Sequence, residues 1–107
     1  MDDPKATLHA RLLALDTEDA AGSDAQATVE LDQQSVGRLS RMDALQNQAM
    51  AQAQARMRQA ERQRIRAALL RLESGDYGYC TDCGDAIVPA RLAADPTIPR
   101  CFDCARG

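Results

Sequence analysis

Large aromatic side chains are scarce in this chain of 107 residues, which has no Trp, one Phe and two Tyr. Such side chains anchor many hydrophobic cores, so their scarcity excludes a large aromatic-centred core. Alanine supplies the largest share of the apolar residues. We therefore expect one small module with an extension rather than a large globular domain.

Long apolar runs are also absent. No window of the sequence approaches the roughly eighteen apolar residues that a membrane span requires. Residues 1–5 are acidic and polar, unlike the start of a secretory signal. We therefore expect a cytoplasmic protein with no membrane partner.

Catalytic signatures are missing as well. The sequence has a single histidine, His9, and no glycine-rich loop of the kind that holds phosphates. If the cysteines bind a metal, no nucleophile remains that could pair with a general base. We predict that the chain is not an enzyme.

Four cysteines near the C-terminus carry the strongest signal. They form two Cys-x-x-Cys pairs separated by seventeen residues, namely Cys80, Cys83, Cys101 and Cys104. This spacing is typical of zinc ribbons. Two such pairs can place four thiolate sulfurs about 2.3 Å from one Zn²⁺ in a closed tetrahedral site, which leaves no position for a substrate. We predict one structural zinc ion.

Two disulfides are the alternative use of these cysteines, and they would require an oxidising compartment that nothing in the sequence indicates. Iron is a further alternative as the metal. Gly84 follows the second cysteine directly and can adopt positive φ, which would let backbone N–H groups turn back towards the sulfurs. The local turn chemistry therefore agrees with a metal site.

A long helix is predicted from about Gln33 to Glu73, because this stretch has no Pro, only Gly37, and many strong helix formers. A helix of about forty residues would extend roughly 60 Å and needs a partner helix. Its apolar residues recur close to helical spacing, which predicts one continuous buried stripe. The stripe comprises Leu39, Met42, Leu45, Ala49, Ala53, Met57, Ala60, Ile65, Ala68, Leu69 and Leu72.

The N-terminal segment offers a partner helix, since Leu8, Leu12 and Leu15 share one helical face. The polar residues 21–24 predict the end of this first helix. Gly75 suits the left-handed position that closes the second helix. The two helices would then lie antiparallel.

The sequence therefore predicts a mainly α fold, in which an antiparallel helical hairpin, or coiled-coil arm, is joined to a small C4 zinc-finger module. The arm would comprise residues 1–75, with its tip near 32–37, and the module residues 76–107. A module of this size is too small to fold by hydrophobic burial alone, so we expect the metal to supply folding free energy.

Charge is segregated along the chain. Residues 1–34 carry eight acids against Lys5 and Arg11, whereas residues 38–71 carry eight arginines against two acids. The acidic first helix could pair with the basic second helix. The arginines could instead bind a partner, and the residues alone leave both uses open.

The C-terminal third resembles the DksA/TraR-type zinc finger in the order and spacing of its residues. The resemblance is close over residues 70–104, and the two predicted helices resemble the family's coiled-coil arm more loosely. It implies a transcription regulator that binds bacterial RNA polymerase through the secondary channel, without sequence-specific DNA binding of its own. The matching residues are Asp76-Tyr77-Gly78-Tyr79-Cys80, Cys83-Gly84, Ile87, Arg91-Leu92, Ala94, Pro96, Cys101 and Cys104.

The resemblance also implies functional residues at the tip of the arm. The family's tip motif is Asp-x-x-Asp-x-Ala, and the nearest match keeps Asp32 but has Ser35 and Gly37 at the other two positions. The resemblance implies that Asp32 acts on transcription and that the other two residues weaken or alter the output. Asp32 or Ser35 could instead cap the long helix, and the two roles are compatible.

Members of the family bind the alarmone ppGpp together with polymerase, through basic residues beside the zinc module. Arg64 and Arg91 fall at matched positions that remain basic, whereas Asp95 and Ala105 stand where a cation is expected. The resemblance therefore implies at most a weak ppGpp site at Arg64 and Arg91.

Two other functions fit the residues. One is a zinc-ribbon protein that binds nucleic acid through its arginine-rich helix. The pI of about 5.0 and the lack of aromatic residues among the arginines argue against it. The other is a structural adaptor that presents its coiled coil to another protein.

Overall fold

The structure is a computed structural model, and it describes residues 3–33 and 38–106. Most of these residues lie in helices. The two long helices are α1, Pro4–Gln33, and α2, Arg38–Ser74. The two short helices are α3, Pro89–Ala94, and α4, Phe102–Arg106. Within the described ranges the chain forms no strand, only an isolated antiparallel bridge between Tyr79 and Ala86. The predicted mainly α fold is confirmed.

The chain divides into two compact units. One unit comprises Met1–Leu12 together with Arg62–Gly107, and the other comprises Leu13–Glu61. In each unit a stretch of α1 lies antiparallel to a stretch of α2, as a helical hairpin requires. The predicted boundary between an arm at 1–75 and a zinc module at 76–107 remains a prediction.

Apolar side chains pack the helix pair in the unit that also contains the cysteines. Leu8 of α1 is buried, as are Ile65 and Ala68 of α2. These three residues belong to the apolar patterns that predicted the hairpin. Leu69 and Leu72, from the same pattern, are half-buried. The hydrophobic effect therefore accounts for this part of the hairpin.

Polar side chains lie between the helices in the unit Leu13–Glu61. Leu15 is fully buried there. One helical turn further along α1, the Asp19 carboxylate accepts a hydrogen bond from Nε of Arg58. The Arg58 side chain is only 16% exposed. An ion pair shielded in this way favours one register of the two helices over others, because a shifted register would leave the guanidinium unpaired.

The first helix does not end at residues 21–24, and the prediction that it does so is wrong. Gly22 is helical, and a Cβ atom built on it would lie 3.1 Å from Nη2 of Arg58. The missing side chain leaves room for the guanidinium that Asp19 binds. A glycine within a helix costs roughly 1 kcal/mol relative to alanine, and we infer that this ion pair offsets part of that cost.

The stripe predicted along α2 is only partly correct. Met42, Leu45 and Met57 are exposed by 62%, 53% and 71%, whereas Ala44 is buried. Near Arg58 and Met57, the partner stretch of α1, residues 16–22, offers acids, Thr and small residues but no large apolar side chain. Arginine and alanine fit that surface better than methionine does, so Met57 faces away from it. The side chain of Leu39 lies outside the described residues.

The end of α2 forms a Schellman motif, in which Gly75 takes the left-handed position that the sequence predicts. Gly75 has a φ of 82°. The N–H of Asp76 donates to the carbonyl of Arg71 at 2.8 Å, and the N–H of Gly75 donates to the carbonyl of Leu72 at 3.4 Å. These bonds satisfy carbonyls that the helix end leaves free. In the part of the chain that the structure describes, no helix is long and apolar enough to cross a membrane.

We predict that Asp19→Ala lowers the free energy of unfolding by about 1–2 kcal/mol, because it leaves the largely shielded Arg58 guanidinium without its carboxylate. Urea denaturation followed by circular dichroism measures the change. Asp43→Ala, which removes an exposed carboxylate of α2, is the matched control and should change stability by less than about 0.5 kcal/mol. Equal effects of the two variants would contradict a stabilising role of the pair.

Candidate metal centre

The first Cys-x-x-Cys pair lies in a tight turn that follows the end of α2. The N–H of Cys80 donates to the carbonyl of Asp85 at 2.8 Å, and the N–H of Gly84 donates to the carbonyl of Cys80 at 2.9 Å. Gly84 has a φ of 80°, which a residue with a side chain rarely adopts. These bonds fold residues 80–85 back on themselves, so that Cys80 and Cys83 lie on the same side of the turn.

The second pair spans the start of α4. Cys101 directly precedes this helix, and its carbonyl accepts a hydrogen bond from the N–H of Ala105 at 3.0 Å. The N–H of Thr81 donates to the carbonyl of Pro99 at 2.8 Å, which ties the first pair to the segment just before the second. The backbone therefore brings together two pairs that are seventeen residues apart in sequence.

The four sulfurs converge on one point. The Sγ atoms of Cys80, Cys83, Cys101 and Cys104 all lie within 4.8 Å of one another. The Sγ atoms of Cys83 and Cys101 are 3.7 Å apart, close to the ~3.8 Å edge of a tetrahedron with metal–sulfur distances of about 2.3 Å. All four cysteines are free, so the predicted alternative of two disulfides is not adopted. The donor set fits one structural Zn²⁺.

Electrostatics within the cluster favour a bound cation. The backbone N–H groups of Cys83 and Cys101 point at the sulfur of Cys80 and lower the pKa of its thiol to about 6. The pKa of Cys104 is raised, chiefly because its thiol donates a hydrogen bond to the sulfur of Cys101 and the other two sulfurs are also close. One sulfur is therefore readily anionic while another retains its proton. A divalent ion would remove this conflict by stabilising all four thiolates at once.

A family comparison covers this segment. Residues 75–107 match the family of prokaryotic dksA/traR C4-type zinc fingers. The match begins at the glycine that closes α2 and includes all four converging cysteines. The chain therefore contains a C4 zinc finger that holds one structural zinc, as the cysteine spacing predicts.

Two curated relatives share part of the sequence. The RNA polymerase-binding transcription factor DksA of Haemophilus influenzae is 46% identical over 41 residues, which are 38% of this chain and 28% of that protein. The DksA of Escherichia coli is 44% identical over 41 residues, or 38% of this chain and 27% of that protein. The similar segment thus spans little more than a quarter of the relatives' length.

A solved structure resembles nearly the whole chain. The transcription factor DksA2 from Pseudomonas aeruginosa superposes with a TM-score of 0.84, covering 96% of this chain and 78% of that chain. The sequence identity is 19%. The fold is therefore of the DksA2 type, a helical hairpin joined to a small finger.

The residues proposed for the tip are only partly described. Asp32 lies in the last turn of α1, but its side chain lies outside the described residues. Ser35 and Gly37 lie outside the described residues altogether. Their roles, and the alternative in which Asp32 or Ser35 caps the second helix, remain predictions.

The two arginines proposed for ppGpp have different surroundings. Arg64 is exposed on α2. Arg91 of α3 donates from Nε to the carbonyl of Arg100 at 3.2 Å, and its guanidinium lies 6.0 Å from the ring centroid of Phe102. Arg91 therefore already stabilises the finger itself, whereas Arg64 makes no such contact with another described residue. Their role in binding ppGpp remains a prediction.

Asp95 has a structural role that the sequence analysis missed. Its Oδ1 atom accepts hydrogen bonds from the N–H of Thr97 at 3.0 Å and from the Thr97 hydroxyl at 2.7 Å. These bonds close the turn after α3 around Pro96. The Asp-Pro-Thr order, which is typical of such turns, was the available signal. These hydrogen bonds to Thr97 give Asp95 a structural role at a position where the family resemblance leads one to expect a cation.

We predict about one Zn²⁺ per chain after purification under reducing conditions, and much less in Cys83→Ser, which removes one of four thiolates. Elemental analysis and near-ultraviolet circular dichroism measure metal content and folding of the finger. Thr81→Ser, two residues away and exposed, is the matched control and should keep its zinc. Full zinc content in Cys83→Ser would contradict the four-sulfur site.

Proposed function

We propose that this chain is an RNA polymerase-binding transcription regulator of DksA/TraR type. The observation that carries the proposal is the match of residues 75–107, the segment that contains the four converging cysteines, to the dksA/traR zinc-finger family. The DksA proteins of Haemophilus influenzae and Escherichia coli are both named as RNA polymerase-binding transcription factors. Their partner is the one that we propose for this chain.

The fold supports this proposal for the remainder of the chain. The DksA2-type hairpin extends over residues far outside the matched finger. In this proposal the zinc ion has a structural role and the chain acts as a regulator rather than an enzyme, by contacting polymerase. Its site of action would be the cytoplasm, where bacterial polymerase works.

The resemblance noted from the sequence suggests how the parts divide the work. The tip near residues 32–37 would enter the secondary channel of polymerase, while the arm and the finger supply contact area. A carboxylate at the tip would then act on the catalytic centre. Under this hypothesis Asp32 contributes to regulation more than to affinity.

We predict that the chain binds purified RNA polymerase core with a dissociation constant in the micromolar range or tighter. Fluorescence anisotropy with a labelled chain measures the affinity, and the zinc-depleted Cys83→Ser protein serves as a control for the finger. Cleavage by an iron chelate in the polymerase active site should occur near residues 32–37. Binding to nucleic acid but not to polymerase would favour the zinc-ribbon alternative, and binding to neither would leave the adaptor.

We predict that Asp32→Asn changes transcription from a sensitive promoter while polymerase affinity changes by less than about threefold, because the amide keeps the size and loses the charge. Multi-round transcription and the anisotropy assay measure the two quantities. Asp43→Asn, an isosteric change at an exposed carboxylate of α2, is the control. Wild-type transcription by Asp32→Asn would leave only the helix-capping role.

We also propose that any ppGpp response of the polymerase complex is weak. A pyrophosphate group needs clustered cations, and Arg91 already makes contacts within the finger. Asp95 adds negative charge beside that segment and cannot be replaced without losing its bonds to Thr97.

We predict that Ala105→Lys strengthens the ppGpp effect on transcription several-fold, on the order of 1 kcal/mol in binding, because it adds a cation at an exposed position. Transcription with increasing ppGpp measures the change. Ala105→Gln is the uncharged control. A strong ppGpp response in the unmodified chain, or none gained in Ala105→Lys, would show that other groups form the site.

A further inference from the structure

A largely exposed leucine borders a groove in the unit that contains the finger. Leu70 of α2 is 65% exposed, although Leu69 next to it is half-buried. The groove lies between α1 and α2, has a volume of about 660 Å³, and owes its apolar part to Leu69, Leu70 and Leu72. Exposed apolar surface of this kind is stabilised when another surface covers it. The charges around the leucines indicate which surface that is.

Charges of opposite sign flank the leucines on α2. Arg66 lies before Leu69 and Leu70 in the sequence, and Glu73 lies after them. A separation of seven residues places Arg66 and Glu73 on the same face of the helix, about 10 Å apart along its axis. Both side chains are exposed, and neither forms an ion pair or hydrogen bond with another described residue. We call Arg66, Leu70 and Glu73 the Leu70 face.

The α1 side of the groove carries its own charges, on Asp3, Lys5 and His9. Oδ1 of Asp3 accepts a hydrogen bond from the backbone N–H of Lys5 at 3.1 Å. Apart from His9, the lining therefore has two cations, Lys5 and Arg66, and two acids, Asp3 and Glu73. These charges balance, so two copies of the groove would not repel each other.

The other charged residues of this stretch of α2 lie away from the Leu70 face. At 100° per residue, Glu61 and Arg71 lie about 140° round the helix from Arg66, and Arg64 lies about 160° from it. Arg62 is closer but buried. The guanidinium of Arg71 donates to a backbone carbonyl of the finger at 3.3 Å. The finger therefore contacts another side of α2 and leaves the Leu70 face open.

We propose that the Leu70 face binds the same face of a second copy of the chain, with the two α2 helices antiparallel. Arg66 and Glu73 are equally far in sequence from the midpoint between Leu69 and Leu70. A two-fold axis at that midpoint would therefore place Arg66 of each copy opposite Glu73 of the other. The two Leu70 side chains would meet near the axis and lose their exposure to water.

Charge complementarity favours a second copy as the partner, because the face itself supplies both the cation and the acid that the contact needs. A parallel arrangement would instead bring Arg66 to Arg66 and Glu73 to Glu73. The contact extends over only two or three helical turns, which is less than the ~800 Å² per partner of a standard interface. We therefore expect a weak dimer, with a dissociation constant on the order of 10–100 µM. This inference does not depend on the proposed function.

Charge-reversal variants test the antiparallel pairing. Sedimentation velocity of the reduced, zinc-loaded chain measures self-association, which added salt should weaken. Arg66→Glu and Glu73→Arg should each weaken the dimer about tenfold or more, because each places like charges opposite one another. An equimolar mixture of the two variants should associate again, because every reversed charge then meets its opposite. Only an antiparallel contact between these two positions predicts that recovery.

Matched variants control for net charge and for apolar area. Arg41→Glu reverses an exposed arginine of α2 outside this unit and should dimerise like the wild type. Leu70→Gln should weaken the dimer, whereas Leu45→Gln, at a leucine that is 53% exposed, should not. Circular dichroism and zinc content verify that each variant remains folded.

Each contrary outcome overturns the inference. A wild type that stays monomeric at ~1 mM, well above the expected dissociation constant, would leave the groove to a small ligand or to another protein. Self-association that survives in both single variants, or that does not return in their mixture, would place the dimer contact on another surface.

Discussion

The convergence of four thiolate sulfurs is the constraint on which the C-terminal part of the chain depends. Among the described residues from 75 to 106, only Cys80, Ile87 and Thr97 are buried. Burial of so few side chains cannot offset the conformational entropy of ordering some thirty residues, which costs roughly 1–2 kcal/mol each in the backbone alone. The sulfurs also lie so close together that they raise the pKa of the Cys104 thiol. A bound metal ion would offset both costs, because its bonds to the four thiolates stabilise the finger and replace the unfavourable contact between sulfurs.

Arg71 joins α2 to the segments 76–77 and 95–97 of the finger through polar contacts. Its carbonyl accepts hydrogen bonds from the N–H groups of Asp76 at 2.8 Å and Tyr77 at 3.1 Å. Its guanidinium donates to the carbonyl of Thr97 at 3.3 Å. The Tyr77 hydroxyl donates to the carbonyl of Pro96 at 2.9 Å, and burial raises the pKa of this phenol, so it remains protonated at neutral pH. The turn held by Asp95 therefore receives contacts from both the last turn of α2 and the segment after it.

Sequence patterns predicted the features that depend on local chemistry. Cysteine spacing identified the metal ligands, and Gly75 identified the end of α2, because few other residues adopt positive φ. Patterns failed where two segments distant in sequence determine the structure. Considered alone, Gly22 predicts a break in the first helix. In the structure the Arg58 side chain lies against Gly22, and Asp19 binds that side chain. Met57 suggested a core, but at its level α1 presents acids to α2. Helical spacing alone does not reveal which of two possible faces meets the partner helix.

These features give the proposed regulator a simple division of roles. The zinc centre orders the finger, whose few buried side chains cannot fold it alone, and the ion pair between Arg58 and Asp19 favours one register of the helices. The most direct test of this account is hydrogen exchange of the chain with bound zinc and after chelation. The account predicts that chelation removes protection from residues 76–106, while the helical stretches of the unit Leu13–Glu61 retain theirs. Undiminished protection of the finger without metal would contradict the central role of the four thiolates.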